Sequence, residues 1–281
     1  MRRFFIVLRR AFMNSWIDGC FGIAKGAAYS GLLALFPVLS TLAAILVQAN
    51  AGQVSDYIAR FLFEVVPPGT TELLARQFRE RGEQPLSLLI GATAVSAWAA
   101  SSWMASLMEG FRACYRLPGG RGIVQDRLVA IALVFICAVP AIAASALLVA
   151  GDRVEQLLLA AAGWIDPGQT IASGLAFISQ IVRFAVAFGA IVVTTIVLYY
   201  IAPNRPQKWK YVWPGAVVAT TLWLVVTLAF GWYVRNLANY NVMYGSVGGV
   251  IALIVWMYLL AAIALFGCEY NVERERIRKG K

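Results

Sequence analysis

The chain has 281 residues, 60% of them hydrophobic and only 14% charged, whereas soluble globular domains carry about half apolar and about a quarter charged residues. That composition excludes a conventional soluble enzyme, because so much apolar surface must face lipid. A formal charge of +10 would suit nucleic acid, but in a membrane chain the placement of Lys and Arg matters more than their total, and anionic headgroups are the simpler partner.

In chain order, the opening MRRFFIVLRRAFMNSWIDGC lacks the apolar core and cleavage site of a secretory signal, and is expected to stay on the protein. Phe4, Phe5, Leu8, Ala11, Phe12, Ser15 and Trp16 recur at helical spacing, with Arg2, Arg9 and Arg10 off that stripe. This predicts a basic amphipathic helix over 1–22, lying in the cytoplasmic interface or binding a partner. Apolar runs long enough to span, at about 20 residues each, follow at residues 26–48, 86–108, 128–150, 175–202, 212–234 and 245–268. They predict an all-α, polytopic membrane bundle of about six transmembrane helices in one domain over 1–281, with no separate soluble unit to house an enzyme core.

Between the first two runs, residues 49–85 place Val54, Tyr57, Ile58, Phe61, Leu62 and Val65 on one helical face, before the break at Pro67, Pro68 and Gly69. Surface helices on the outer face are expected there, packed on the rim or serving as a lid. Run 86–108 is crowded with Ala, Ser and Gly, which let helices approach closely in lipid. Pro37 and Pro140 should kink their helices, while Pro214 is read at a helix start, where proline is tolerated. Asn236, Asn239, Tyr240, Asn241 and Tyr244 form a short polar outer loop. Residues 269–281 are read as a cytoplasmic tail. Six spans in two oppositely oriented sets of three meet the precondition for an inverted repeat, although the halves show no sequence similarity.

With the N-terminus inside, 17 of the 24 Lys and Arg residues fall on the cytoplasmic side, six on the outer side, and one, Arg183, within a span. Both termini are therefore expected in the cytoplasm. Cys20, Cys114, Cys137 and Cys268 show no pairing pattern, so no disulfide framework is implied. Histidine is absent, which removes the commonest general base and metal ligand together. No cofactor or metal site is read from the sequence. Among the acids, Glu109 with Arg112 and Glu273 with Arg276 are spaced as ordinary helix-surface pairs.

Four segments taken together, KGAAYSGLLALFPVLS, YYIAPNRP, WPGAVVATTLW and YGSVGGVIALIVWMYLLAAIALFGCEYN, resemble the YihY/BrkB family of bacterial inner-membrane proteins. Tyr29, Ser30, Pro37, Pro203, Asn204, Gly215, Gly245, Trp256, Gly267, Glu269 and Asn271 are the positions that match its pattern. The resemblance implies a six-helix bundle with both ends in the cytoplasm of the inner membrane. It also implies a link to transport, to envelope or lipid processes and to virulence traits, and it implies no catalytic or binding residue. An old ribonuclease label in the family is regarded as misassigned.

Three functions compete: a transporter or translocator of lipid or another anionic amphiphile, a non-transporting envelope scaffold, and a ribonuclease. A metal-dependent nuclease needs a cluster of His or carboxylates, and this chain has no His and few cytoplasmic acids. No Walker motif supplies an energy source. Arg183 favours transport, because an ionisable residue inside the bilayer is costly and by default suggests a functional site. It lies about eight residues from Leu175, roughly 12 Å at 1.5 Å per residue, near the midplane of a ~30 Å core. Its helical face holds Ala176, Ser179, Gln180, Val186, Ala187, Ala190 and Thr194. From this, Arg183, Ser179, Gln180 and Thr194 are candidate contacts for an anionic lipid, with snorkelling or helix-to-helix bonding by Arg183 as the structural alternative. Membrane lipids are the expected partners, together with an envelope protein or a second copy of the chain, and not nucleic acid.

Overall fold

A computed structural model describes residues 2–48, 86–161, 173–236 and 246–279. They form α1 (Arg2–Ile17), α2 (Cys20–Gln48), α3 (Leu86–Cys114), α4 (Ile123–Ala161), α5 (Ser173–Ile201), α6 (Trp209–Asn236) and α7 (Ser246–Arg278). Among the described residues there is no strand, and the fold is all-α. Segment 49–85, most of the loop after α6 and Gly245 lie outside the described residues.

Within α2, α4, α5, α6 and α7 the stretches Cys20–Leu39, Ile123–Ala144, Ile178–Ile201, Trp209–Val234 and Gly248–Arg278 are long and apolar enough to cross a membrane. The Ala- and Ser-rich α3 is not among those five. Each of α2 to α6 packs on its successor, α6 on α7 included. α7 also packs on α2, α3 and α1, which closes the ring.

Several helix limits differ from the sequence reading. α2 begins at Cys20 rather than Gly26, because Gly19, at φ +70°, ends α1 in the left-handed conformation that glycine adopts without a Cβ clash. α4 continues to Ala161, past the expected limit at Ala150. α7 continues to Arg278 through the stretch read as a cytoplasmic tail, where Glu269, Tyr270, Asn271, Val272, Glu273 and Glu275 are buried. The cause is α1, whose Val7 and Ala11 pack on Tyr270 and whose Asn14 Nδ2 donates to Glu273 Oε1 at 2.7 Å. The aromatic side chains Phe4, Phe5, Phe12 and Trp16 of α1 face outward, as expected of a helix lying against headgroups.

Pro214 is not at a helix start, since α6 begins at Trp209 and the proline sits inside its second turn. Asn271 braces this turn from α7. Its Oδ1 accepts from Gly215 N–H at 2.7 Å and its Nδ2 donates to the Val212 carbonyl at 2.8 Å, so one buried amide serves two backbone groups of α6. Gly215 and Gly267 allow that approach. A Cβ on Gly215 would stand 2.1 Å from the Gly267 carbonyl oxygen, and one on Gly267 would stand 2.4 Å from Tyr199 Oη.

Near Pro37, which lies inside α2, hydroxyls of α2 and α3 join the two helices. Ser96 Oγ donates to the Pro37 carbonyl at 2.7 Å and lies 2.6 Å from Thr41 Oγ1, which also donates to Ala92 O at 3.1 Å. One hydroxyl from each helix thus bonds a backbone carbonyl of the other beside Pro37.

Candidate functional site

One end of the bundle gathers α1, the α3–α4 turn, the α5–α6 turn and the end of α7. Asp18 accepts from Arg116 Nε at 3.0 Å, and Arg205 Nη2 donates to Glu275 Oε1 at 2.8 Å. Arg112 Nη1 donates to Asp126 Oδ2 at 2.9 Å, so Arg112 is held by the start of α4 and not by Glu109, the partner that helical spacing suggested. Glu273 and Arg276 do pair within α7. Arg121 Nη2 donates to the Ile201 carbonyl, and Gln207 Nε2 to the Tyr199 and Tyr200 carbonyls, which caps the exposed carbonyls at the end of α5. Burial lowers the proton affinity of the Arg121 guanidinium, and the neighbouring Asp126 opposes that shift. Arg116 is shifted upward by its hydrogen bond to Asp18.

Asn204, with φ +55°, makes the turn after α5, a left-handed position that asparagine tolerates better than most residues. Pro203 beside it is buried.

Farther into the bundle, a cavity of about 490 Å³ opens where α2 to α7 converge. Gly31, Ala34 and Val38 line it from α2, Trp103 and Leu107 from α3, Cys137 and Ala138 from α4, Thr194, Thr195 and Tyr199 from α5, Thr220 and Trp223 from α6, and Met257 and Ile263 from α7. The lining is almost wholly apolar. Tyr199, which lines it, meets Phe111 edge-on with ring centres 5.3 Å apart, and its Oη donates to the Ala264 carbonyl at 2.6 Å. Small residues create the space: Gly31, Ala34 and Ala138 leave room that larger side chains would fill.

Of the candidate contacts on α5, Thr194 lines the cavity. Arg183 is half-buried some 11 residues earlier, or about 16 Å along the helix; its Nη2 donates to Ser179 Oγ at 3.4 Å. Ala187 is buried and Ala190 half-buried, but Gln180 and Val186 are exposed. Both lie about 60° to either side of Arg183 at 100° per residue, at the edges of the face that α4 and α6 cover. Among the family-pattern positions, Ser30 faces Ser106 across α2 and α3 at 3.4 Å, Trp256 packs with Ala28 and Leu39, and Tyr29 points outward.

A family model described as "Virulence factor BrkB" matches residues 11–281. The chain belongs to the BrkB family. Among relatives, the ribonuclease-like protein YfkH of Bacillus subtilis is 30% identical over 266 residues, covering 92% of each chain. A UPF0761 membrane protein of Rhodospirillum centenum is 25% identical over 280 residues, 98% of this chain and 59% of that one. One from Chromobacterium violaceum is 25% identical over 262 residues, 89% of this chain and 57% of the other. The chain thus spans nearly all of YfkH but a little under three-fifths of the UPF0761 proteins. No solved structure matches it. It is a multi-pass membrane protein of that family. Sequence reasoning missed the cavity, because its walls come from six helices and no short segment carries a signature of it.

Proposed function

We propose that this BrkB-family chain binds and moves a membrane lipid or another anionic amphiphile in the bacterial inner membrane, with both termini in the cytoplasm and α3 as the sixth span. The observation that carries this reading is the apolar cavity of about 490 Å³ bounded by six helices, within the range of about 300–1,000 Å³ usual for small-molecule sites. An acyl chain suits such a lining. Arg183, about 16 Å along α5 from Thr194, would meet the phosphate or carboxylate head, which a guanidinium can hold through two parallel hydrogen bonds.

The orientation is supported by the convergence of α1, the two basic turns and the end of α7 at one end of the bundle, since these segments hold most of the Lys and Arg. Cysteines placed singly at Gln53, Gly168 and Asn239 on a cysteine-free background should react with an impermeant maleimide from outside, and those at Gly119 and Gln207 should not. The reverse pattern would overturn the orientation.

A ribonuclease role finds little support in the acids of the described end. Asp18, Asp126, Glu273 and Glu275 are each engaged by arginine, and Glu269 is buried. The name of YfkH describes that relative.

The direct test is lipid occupancy and flux. Native mass spectrometry of the purified chain should show a retained phospholipid, and proteoliposomes should exchange a fluorescent anionic lipid between leaflets. Ala138→Phe and Thr194→Phe should lower both at least tenfold without lowering the melting temperature. Arg183→Leu should lower selectivity for anionic over zwitterionic lipid about ten- to a hundredfold, as expected for losing a charged hydrogen bond worth about 1.5–3 kcal/mol. A wild-type chain that retains no lipid and accelerates no exchange would refute the transport reading. Unchanged selectivity in a well-folded Arg183→Leu variant would remove this arginine from the path.

A further inference from the structure

Three side chains that carry metal-ligating atoms meet beneath the basic end of the bundle. Cys20 is the first residue of α2, Cys114 the last of α3, and Glu269 lies on α7. Cys20 is 1% exposed and the other two 0%. The two sulfurs are 3.5 Å apart, and each sulfur and a carboxylate oxygen of Glu269 all lie within 4.8 Å of one another. Neither carboxylate oxygen has a hydrogen-bond partner; the nearest cation is Arg276, whose Nη1 is 3.8 Å from Oε1.

We propose that Cys20, Cys114 and Glu269 form a binding site for a thiophilic divalent cation, with Zn²⁺ as the fitting ion, that ties α2, α3 and α7 together. With Zn–S bonds of about 2.3 Å and Zn–O bonds of about 2.0 Å, tetrahedral geometry sets the sulfurs about 3.8 Å apart and each sulfur about 3.5 Å from the oxygen. The three side chains reach that arrangement through small rotations. Binding breaks two S–H bonds, forms two S–Zn bonds and sends two protons to solvent. Two thiolates, one carboxylate and Zn²⁺ sum to a charge of −1, which Arg276 offsets from outside the ligand shell.

A disulfide between Cys20 and Cys114 is the competing chemistry, but it leaves both oxygens of a fully buried carboxylate without a hydrogen bond and with only the 3.8 Å ion pair to Arg276, a costly state. A cation satisfies the carboxylate and both sulfurs at once. Three protein ligands leave the fourth tetrahedral position to a water, and because they come from α2, α3 and α7 the ion would hold those three helices together.

The test uses the full chain, expressed with added zinc and purified in detergent with a phosphine reductant. Elemental analysis should find about one zinc per chain. Titration of Co²⁺ into the stripped protein should raise a thiolate-to-cobalt charge-transfer band that Zn²⁺ then bleaches. Cys20→Ser combined with Cys114→Ser should abolish both signals, Glu269→Gln should weaken metal affinity at least about tenfold, and Cys137→Ser should leave it unchanged. Should the double variant fail to fold, alkylation of the wild type decides: Cys20 and Cys114 should react with maleimide only after a chelator is added. Absence of zinc and of a cobalt band in folded wild-type protein would overturn the proposal. So would full metal retention in the double variant, or a Cys20–Cys114 disulfide in protein whose thiols were trapped inside the cell.

Discussion

Gly215→Ala should sharply lower the yield of folded protein, and Gly267→Ala should lower the melting temperature. Alanine is intrinsically better in a helix than glycine by about 1 kcal/mol, so propensity alone predicts stabilisation by both changes. Contact decides otherwise. The new Cβ at position 215 would meet a backbone oxygen, Gly267 O, at 2.1 Å, and Asn271 Cγ at 2.5 Å. A backbone oxygen moves only if α6 and α7 separate, which would also break the Asn271 bonds. Overpacking of a core typically costs about 1–3 kcal/mol, and a clash with backbone belongs at the top of that range or above it. At Gly267 the nearest atoms are Tyr199 Oη at 2.4 Å, Ala219 Cβ at 2.6 Å and Gly215 O at 2.8 Å, so part of the strain is relieved by displacing the Tyr199 hydroxyl from the Ala264 carbonyl. Gly189→Ala and Gly231→Ala serve as controls, because a Cβ at either meets nothing within 4 Å; they should be neutral or stabilising by up to about 1 kcal/mol. Size-exclusion yield and thermal melts in detergent give the order. Equal behaviour of all four variants would show that α6 and α7 do not cross at these glycines.

Asn271→Leu should destabilise the chain by about 3 kcal/mol while keeping the side-chain volume close to that of asparagine. The loss comes from two backbone groups left behind, Gly215 N–H and the Val212 carbonyl, which the buried amide now serves at 2.7 and 2.8 Å. Each buried, unsatisfied partner costs about 1–3 kcal/mol. Pro214 sharpens the effect, since its missing N–H already weakens that turn of α6. Asn271→Asp should fall as far at neutral pH, because a carboxylate accepts from Gly215 but has no donor for Val212 and adds a buried charge. Hydrogen exchange confined to the first turns of α6 should rise in both variants before global melting shifts. Protection unchanged at Gly215 would show that the amide is dispensable.

Composition and apolar run length were enough to read an all-α membrane chain and the approximate place of most helices, because the bilayer sets both the length of a span and the need for internal hydrogen bonding. Local chemistry also read Pro37 and Pro140 inside helices, and helical spacing read α1, although Ala11 and Ser15 of its predicted stripe are buried while the aromatics are exposed. Tertiary packing decided the rest. Helical spacing paired Arg112 with Glu109, yet the fold brings Asp126 closer, since the α3–α4 turn folds back on α3. Residues 269–278 read as a tail because the sequence of α7 does not show that α1 covers it. Cys20, Cys114 and Glu269 are separated by 94 and 155 residues and follow no metal-ligand spacing; only the crossing of α2, α3 and α7 makes neighbours of them. The cavity is likewise the space that six helices leave around small side chains, so its shape depends on the distances between helices rather than on any segment of the chain.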